Sequence, residues 1–196
     1  MAFMIEDGKG KGYSAEVNAD NQISVFSESA SLQHVQSHLR GGAYQVQGFF
    51  TAINNSTHPI LHIKNNSSTL DMVVTYIRMQ ILDFAGGTAL PSTSTYFRLA
   101  FDRTYSAAGA EVTPVNMNKK VGNVAPITVY NANPTLVGTA SEFDRWYVKS
   151  EGDMQTYNKE GTLILGLNDT MEVDIVSDHT SGTAVARVSF VMVAQD

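Results

Sequence analysis

A chain of 196 residues, 43% of them hydrophobic, is long enough for one globular domain with an appended arm and does not call for two domains. Its net charge of −6 comes from 13 basic and 19 acidic residues, and no Lys/Arg run is denser than Lys9 with Lys11 or Lys119-Lys120, which excludes the footprint of a nucleic-acid binder. Zero cysteines exclude disulfides and thiolate chemistry, and the lack of any apolar run of about 18 residues predicts a protein that is neither membrane-spanning nor secreted by the usual route.

Residues 1–26 differ from the rest. Gly8, Gly10 and Gly12 alternate with Lys9 and Lys11, and apolar side chains at Phe3, Ile5, Tyr13, Val17, Ile23 and Phe26 are strung out between them. Alternating glycines cost backbone entropy and provide nothing to pack, so this stretch is expected to be ordered by something other than itself. Two readings fit: a frayed tail with an edge hairpin, or an arm that docks on a neighbour. In the second, Phe3, Ile5, Lys9, Lys11, Tyr13, Val17 and Phe26 are the docking residues.

Residues 28–40 hold the one short helix worth predicting. Leu32, Val35 and Leu39 fall at i, i+3 and i+7, Ser29 or Ser31 supplies the cap, and Gly41-Gly42 stops it. His34 and His38 stand one turn apart, but no third ligand accompanies them and no glutamate sits between them, so a metal is not expected.

From residue 43 the period changes to two. Strands are predicted at 44–51, 59–64, 70–82, 95–102, 127–130 and 143–148, separated by Asn/Ser/Thr-rich connections. At the second of these strands, 59–64, His58 and His62 have the same parity as Ile60 and are placed with it on the outer face. Leu70–Leu82 carries Met72, Val74 and Tyr76 on one parity and Val73, Ile77, Met79 and Ile81 on the other, which predicts a central strand needing cover on both faces. Phe97, Leu99 and Phe101 alternate with Arg98 and Asp102. Residues 83–94 and 103–125 read as long loops.

The last stretch reads as three strands. Met171, Val173 and Ile175 oppose Glu172 and Asp174, and then Ala184, Ala186, Val188, Phe190 and Met192 oppose Arg187 and Ser189 before Val191 and Val193 make both faces apolar. A meander with one dry face needs a second layer. The predicted architecture is therefore an all-β, jelly-roll-like antiparallel β-sandwich at 43–196, preceded at 1–42 by an extended N-terminal arm and the short helix.

Few residues suggest chemistry. Ser177, Asp178 and His179 are too close in sequence to form a triad and read as a turn. The segment Gly8-Lys9-Gly10-Lys11-Gly12 lacks the ending of a phosphate loop and the strand that would precede one. Glu142 and Asp144, two apart on a predicted strand beside Trp146, form a candidate ligand patch: paired carboxylates next to an indole suit a sugar. The plainer reading is an exposed strand face with a packed tryptophan. No catalytic residue, metal or cofactor is expected.

The opening Phe3-x-Ile5-Glu6-Asp7-Gly8-x-Gly10-Lys11-Gly12-Tyr13-x-Ala15-x-Val17-Asn18-x-x-Asn21 resembles one shared by small virion structural proteins of tailed bacteriophages. Further segments resemble theirs at Glu28-Ser29-Ala30-Ser31, Gly42-Ala43-Tyr44, Pro59 to Asn66 and Gly166-Leu167-Asn168-Asp169-Thr170. The resemblance covers both ends and is poor over 83–160. It implies a capsid decoration or other accessory protein of the virion, assembled in the bacterial host cytoplasm, without enzymatic activity. Its partner would be the major capsid protein or another virion protein, with neither nucleic acid nor membrane involved. The two apolar faces of Leu70–Leu82, the doubly apolar end at Val191 to Val193 and the low charge density predict further association with copies of itself, a homotrimer being expected. A receptor- or glycan-binding module of a tail fibre or spike is the alternative.

Overall fold

A computed structural model describes Val35 and residues 40–51, 56–83, 95–120, 123–150, 152–158, 162–177 and 183–194, the last segment and Asp83 by backbone alone. The proposed docking residues from Phe3 to Phe26 lie outside the described residues, as do His34, His38 and His179. Of the predicted helix only Val35 and Arg40 are described, both in a wide, π-type helical turn.

Fourteen strands follow among the described residues. They are β1 (Ala43–Thr51), β2 (Ser56–Asn65), β3 (Leu70–Asp83), β4 (Tyr96–Phe101), β5 (Thr104–Ala107), β6 (Ala110–Glu111) and β7 (Val115–Asn116). The second half contributes β8 (Ile127–Asn131), β9 (Thr135–Val137), β10 (Ser141–Tyr147), β11 (Met154–Tyr157), β12 (Leu163–Leu165), β13 (Thr170–Ser177) and β14 (Thr183–Ala194). The fold is all-β and its strand pairs are antiparallel, as the period-two pattern predicts.

Pairing couples the first half of the chain to the second. Strand β1 lies beside β14, β2 beside β13, β3 beside β11 and β12, and β4 beside β10. Two further pairings, β3 with β14 and β4 with β13, join these ribbons into two six-stranded sheets. The first sheet runs β11-β3-β14-β1-β7 with β12 also on β3, and the second runs β10-β4-β13-β2-β8-β6. A small third sheet pairs β5 with β9.

The two large sheets share one hydrophobic core. Tyr44, Val46, Met72, Val74, Ile77, Met79 and Ile81 from the first meet Ile60, Leu61, Ile63, Phe97, Leu99, Met171, Val173 and Ile175 from the second, all buried. Burying a side chain of this size stabilises by about 1.5–3 kcal/mol, so this layer is what holds the sheets together. The layers come closest at Gly48, where an added Cβ would stand 2.6 Å from the carbonyl oxygen of Ile60 and 2.8 Å from Cβ of Leu61.

Of the register shifts between the described strands, three change which side chains the sequence pattern placed on a face. In β3 the register against β14 jumps from Val74 to Tyr76, leaving Thr75 as the extra residue. Met72 and Val74 on one side of it and Ile77, Met79 and Ile81 on the other therefore point into the same core. The expectation that Leu70–Leu82 presents two apolar faces is corrected in part: parity switches midway, so Ile77, Met79 and Ile81 join Met72 and Val74 on the core face, while Val73 is buried on the other. In β2 the extra residue is Ile60, since Leu61 pairs with Val173 and Pro59 with Asp174. His62 thus sits opposite Glu172 on the outer face and His58 opposite Ile175 on the inner face, where it stacks on Phe50 at 4.9 Å. The shared outer face read for the two histidines is likewise corrected.

The segment 103–125, read as a loop, is also partly strand. It contains β5, β6 and β7, which extend the sheets or form the small one.

Candidate functional site

The outer face of the second sheet carries charge where a solvated surface is the ordinary outcome. Alternation along β13 turns Glu172 and Asp174 away from the core, yet both are fully buried. The chain leaving β4 folds back over them. Arg103 Nε donates to Glu172 Oε1 at 2.7 Å and its Nη2 donates to Asp174 Oδ2, while Arg98 Nε donates to the same Asp174 oxygen at 3.1 Å. His62 Nε2 donates to the carbonyl of Arg103 at 3.0 Å, which fixes the tautomer. Beside it the ring of Tyr105 in β5 stacks on Tyr130 in β8, with centroids 3.5 Å apart and planes 2° from parallel. Two carboxylates facing two guanidiniums make a neutral set, which is how buried charges are normally tolerated.

Burial sets the protonation behaviour of this cluster. It pushes the Glu172 carboxyl up to about 7, with the Arg103 hydrogen bond and charge pulling the other way. Burial also lowers the His62 imidazole below its ordinary value. For Arg103 burial works against the charge, but Asp174 and Glu172 outweigh it and its pKa is raised. Glu172 Oε2, Asp174 Oδ1 and His62 Nδ1 are buried without a hydrogen-bond partner among the described residues. Closed to solvent in this way, the carboxylates cannot touch a substrate. What the geometry does is fasten residues 102–107 onto the sheet.

An open site among the described residues lies elsewhere, where β4 and β10 of the second sheet come against β12 of the first. A cavity of about 310 Å³ is lined by Phe101, Asp102, Phe143, residues 162–165, Asp169 and Thr170. Phe143 is 49% exposed and packs edge-on against Phe101 at 5.6 Å and Tyr157 at 6.3 Å. Asp102 stands at a φ of 75°, a left-handed conformation that aspartate tolerates better than most residues, and this turns the chain at the cavity rim. Across the cavity, Asp169 Oδ2 accepts from the Gly166 backbone at 2.9 Å, and Thr162 Oγ1 bonds the Tyr157 hydroxyl at 3.1 Å.

Behind this wall Asn65 ties three segments together. Its amide donates to the carbonyls of Leu70, Leu165 and Gly166 at 2.8, 3.1 and 3.1 Å, and its oxygen accepts from Ser67 at 2.9 Å. Its backbone also exchanges bonds with Asp169 and Asn168. The two sequence segments 59–66 and 166–170 therefore meet in space.

The patch expected around Trp146 is divided by the third bulge. Glu142 pairs with Ala100 and Asp144 with Leu99, so Phe143 is the extra residue and the two carboxylates point to opposite faces. Glu142 accepts from Arg145 Nε at 2.7 Å, and Asp144 Oδ1 accepts from the Arg145 backbone at 2.8 Å. Trp146 is half-buried against the core, with its ring edge-on to Tyr157 at 5.9 Å. The exposed ring next to the cavity is Phe143, which the sequence reading passed over. Its signal was faint: an apolar residue between two acidic ones at the start of a strand.

A comparison of the sequence with models of known protein families finds no match, and a comparison with curated proteins finds none either.

Proposed function

We propose that the chain is a structural component of a tailed-bacteriophage virion, a capsid decoration or accessory protein that docks through its N-terminal arm and assembles as a homotrimer, and that its β domain is a jelly-roll sandwich. The observation that supports the jelly-roll part of this reading is the strand order. A jelly roll results when an antiparallel ribbon of four strand pairs is wound so that successive pairs alternate between two layers. The pairs β1–β14, β2–β13, β3–β11/β12 and β4–β10 supply such a ribbon, and the pairings β14–β3 and β13–β4 are those that winding would create. Fold alone does not carry function. The second support is the resemblance of residues 3–21 to the opening of small phage virion proteins.

In this reading the glycine-broken arm adds an extended segment to a neighbouring protein, its backbone supplying hydrogen bonds and its alternate apolar side chains supplying register. Deleting residues 2–26 should leave a folded β domain with nearly unchanged thermal unfolding and abolish incorporation into particles. Imaging particles assembled with the labelled parent and the truncated chain reads this directly. Full occupancy by the truncated chain would overturn the docking role, and absence of the parent from head, neck and tail alike would overturn the virion role. The tail-fibre alternative is favoured by one observation, the open cavity beside Phe143, and would place the label at the tail tip.

A further inference from the structure

The cavity between β4, β10 and β12 has walls of two kinds. Phe101, Phe143, Leu163 and Leu165 form an apolar side, of which Phe143 is half exposed, and Asp102, Asp169, Thr162 and Thr170 bring carboxylates and hydroxyls to the rest. A wholly apolar ligand would strip water from the carboxylates without replacing it. An inner-sphere calcium ion needs six to eight oxygens, and no group of three or more His, Cys, Asp or Glu side chains suited to a metal occurs among the described residues. A molecule with an apolar face and a rim of hydroxyl groups satisfies both walls. Its C–H face lies on an aromatic ring and its hydroxyls donate to carboxylates, the strong class of hydrogen bond. The volume of about 310 Å³ is at the lower end of small-molecule sites, near 300–1,000 Å³, and suits a short saccharide.

We infer that this cavity is a saccharide-binding site in which the Phe143 ring stacks on one sugar face while Asp102 and Asp169 accept hydrogen bonds from its hydroxyls. Asp169 has Oδ1 available for this, since Oδ2 is engaged by the Gly166 backbone. Asp102, exposed at its left-handed turn, enters from the opposite strand end. The inference does not depend on a place in a virion, because it rests on the cavity lining alone.

Saturation-transfer NMR on the full chain tests it, with a panel of neutral hexoses, N-acetylhexosamines and short oligosaccharides cut from bacterial surface polysaccharides, and butylammonium as a cationic control. At least one sugar should receive saturation from the protein. Phe143→Ala and Asp102→Asn should each weaken its binding about tenfold, the equivalent of one charged hydrogen bond or one stacked ring. Phe143→Trp, which keeps a stacking surface, should restore it. If Phe143→Ala unfolds, the near-isosteric Asp102→Asn at an exposed position carries the comparison. Transfer to none of the sugars, transfer to butylammonium alone, or sugar binding that survives both weakening variants would overturn the site.

Discussion

Glu172 is the residue at which burial and pairing oppose each other most directly. Its carboxyl ordinarily titrates at 4.5 and here at about 7, because burial disfavours the anion more than Arg103 favours it. Between those two values the unfolded chain releases a proton that the folded chain keeps. The contribution of Glu172 to stability is therefore fully present below pH 4.5 and is lost as pH rises through about 7, in total on the order of 3 kcal/mol. His62 acts with the opposite sign. Its folded pKa is depressed, so its contribution is present above 6.5 and is lost as pH falls below that value. Urea unfolding of the parent and of Glu172→Gln, measured from pH 4 to 8, should give a difference curve that changes across the window from 4.5 to 7 and is flat outside it. A difference curve flat throughout would show that Glu172 is ionised in the folded protein like any surface carboxylate. Neither residue announced this in the sequence, where Glu172 and Asp174 alternate with Met171, Val173 and Ile175 in the manner of a solvated strand face. The missing information is that Arg103, 69 residues away, folds over them.

At the scale of strands, Gly48 fixes how closely β1 crosses β2. A Cβ there would press on the carbonyl oxygen of Ile60 at 2.6 Å, and backbone on a central strand cannot swing aside as a long side chain would. Gly48→Ala should therefore cost about 1–3 kcal/mol as overpacking, read as a lower urea midpoint with an unchanged slope. A parental midpoint would mean that the layers separate freely at this point. Where period two runs unbroken, as in Phe97-Arg98-Leu99 or Met171 to Ile175, strands and their inward faces were legible in the sequence. The bulges at Ile60, Thr75 and Phe143 were not, because one inserted residue reverses every face beyond it and leaves no compositional mark. That single effect accounts for the misplaced His58, the supposed second apolar face of β3 and the divided Glu142/Asp144 pair. Strands of two to four residues, such as β6, β7 and β11, are too short to display a period at all. The cavity was hidden for a further reason: Phe101, Phe143 and Leu163 converge only through pairings made by the finished sheets.

For the whole molecule the question is what its exposed apolar surface meets. The bulge at Thr75 weakens the case that Leu70–Leu82 needs a partner, since Met72, Val74, Ile77, Met79 and Ile81 are shared by one core. There is another ground. Across the outer face of the first sheet, Phe49 on β1 and Met154 on β11 lie in one register row through Val185 and Gln80, and Leu82 follows on β3. Their exposures are 45, 47 and 51%, and Val115 and Met117, near the opposite edge, are similarly half exposed. Scattered apolar residues are normal on a surface, but Phe49, Met154 and Leu82, all half exposed on one sheet face of a chain with only 16% charged residues, make the kind of patch that association covers. Sedimentation velocity at micromolar concentration should show one species of three chains, the closed association proposed above. Exchanging Leu82 and Met154 together for glutamate should yield monomers that keep the parental far-ultraviolet circular dichroism, because both side chains point outward and their replacement disturbs no core contact. A parent that sediments as a monomer would remove the trimer from the proposal, and a double variant that remains trimeric would move the interface off this face and towards Val115, Met117 and the 86%-exposed Val124.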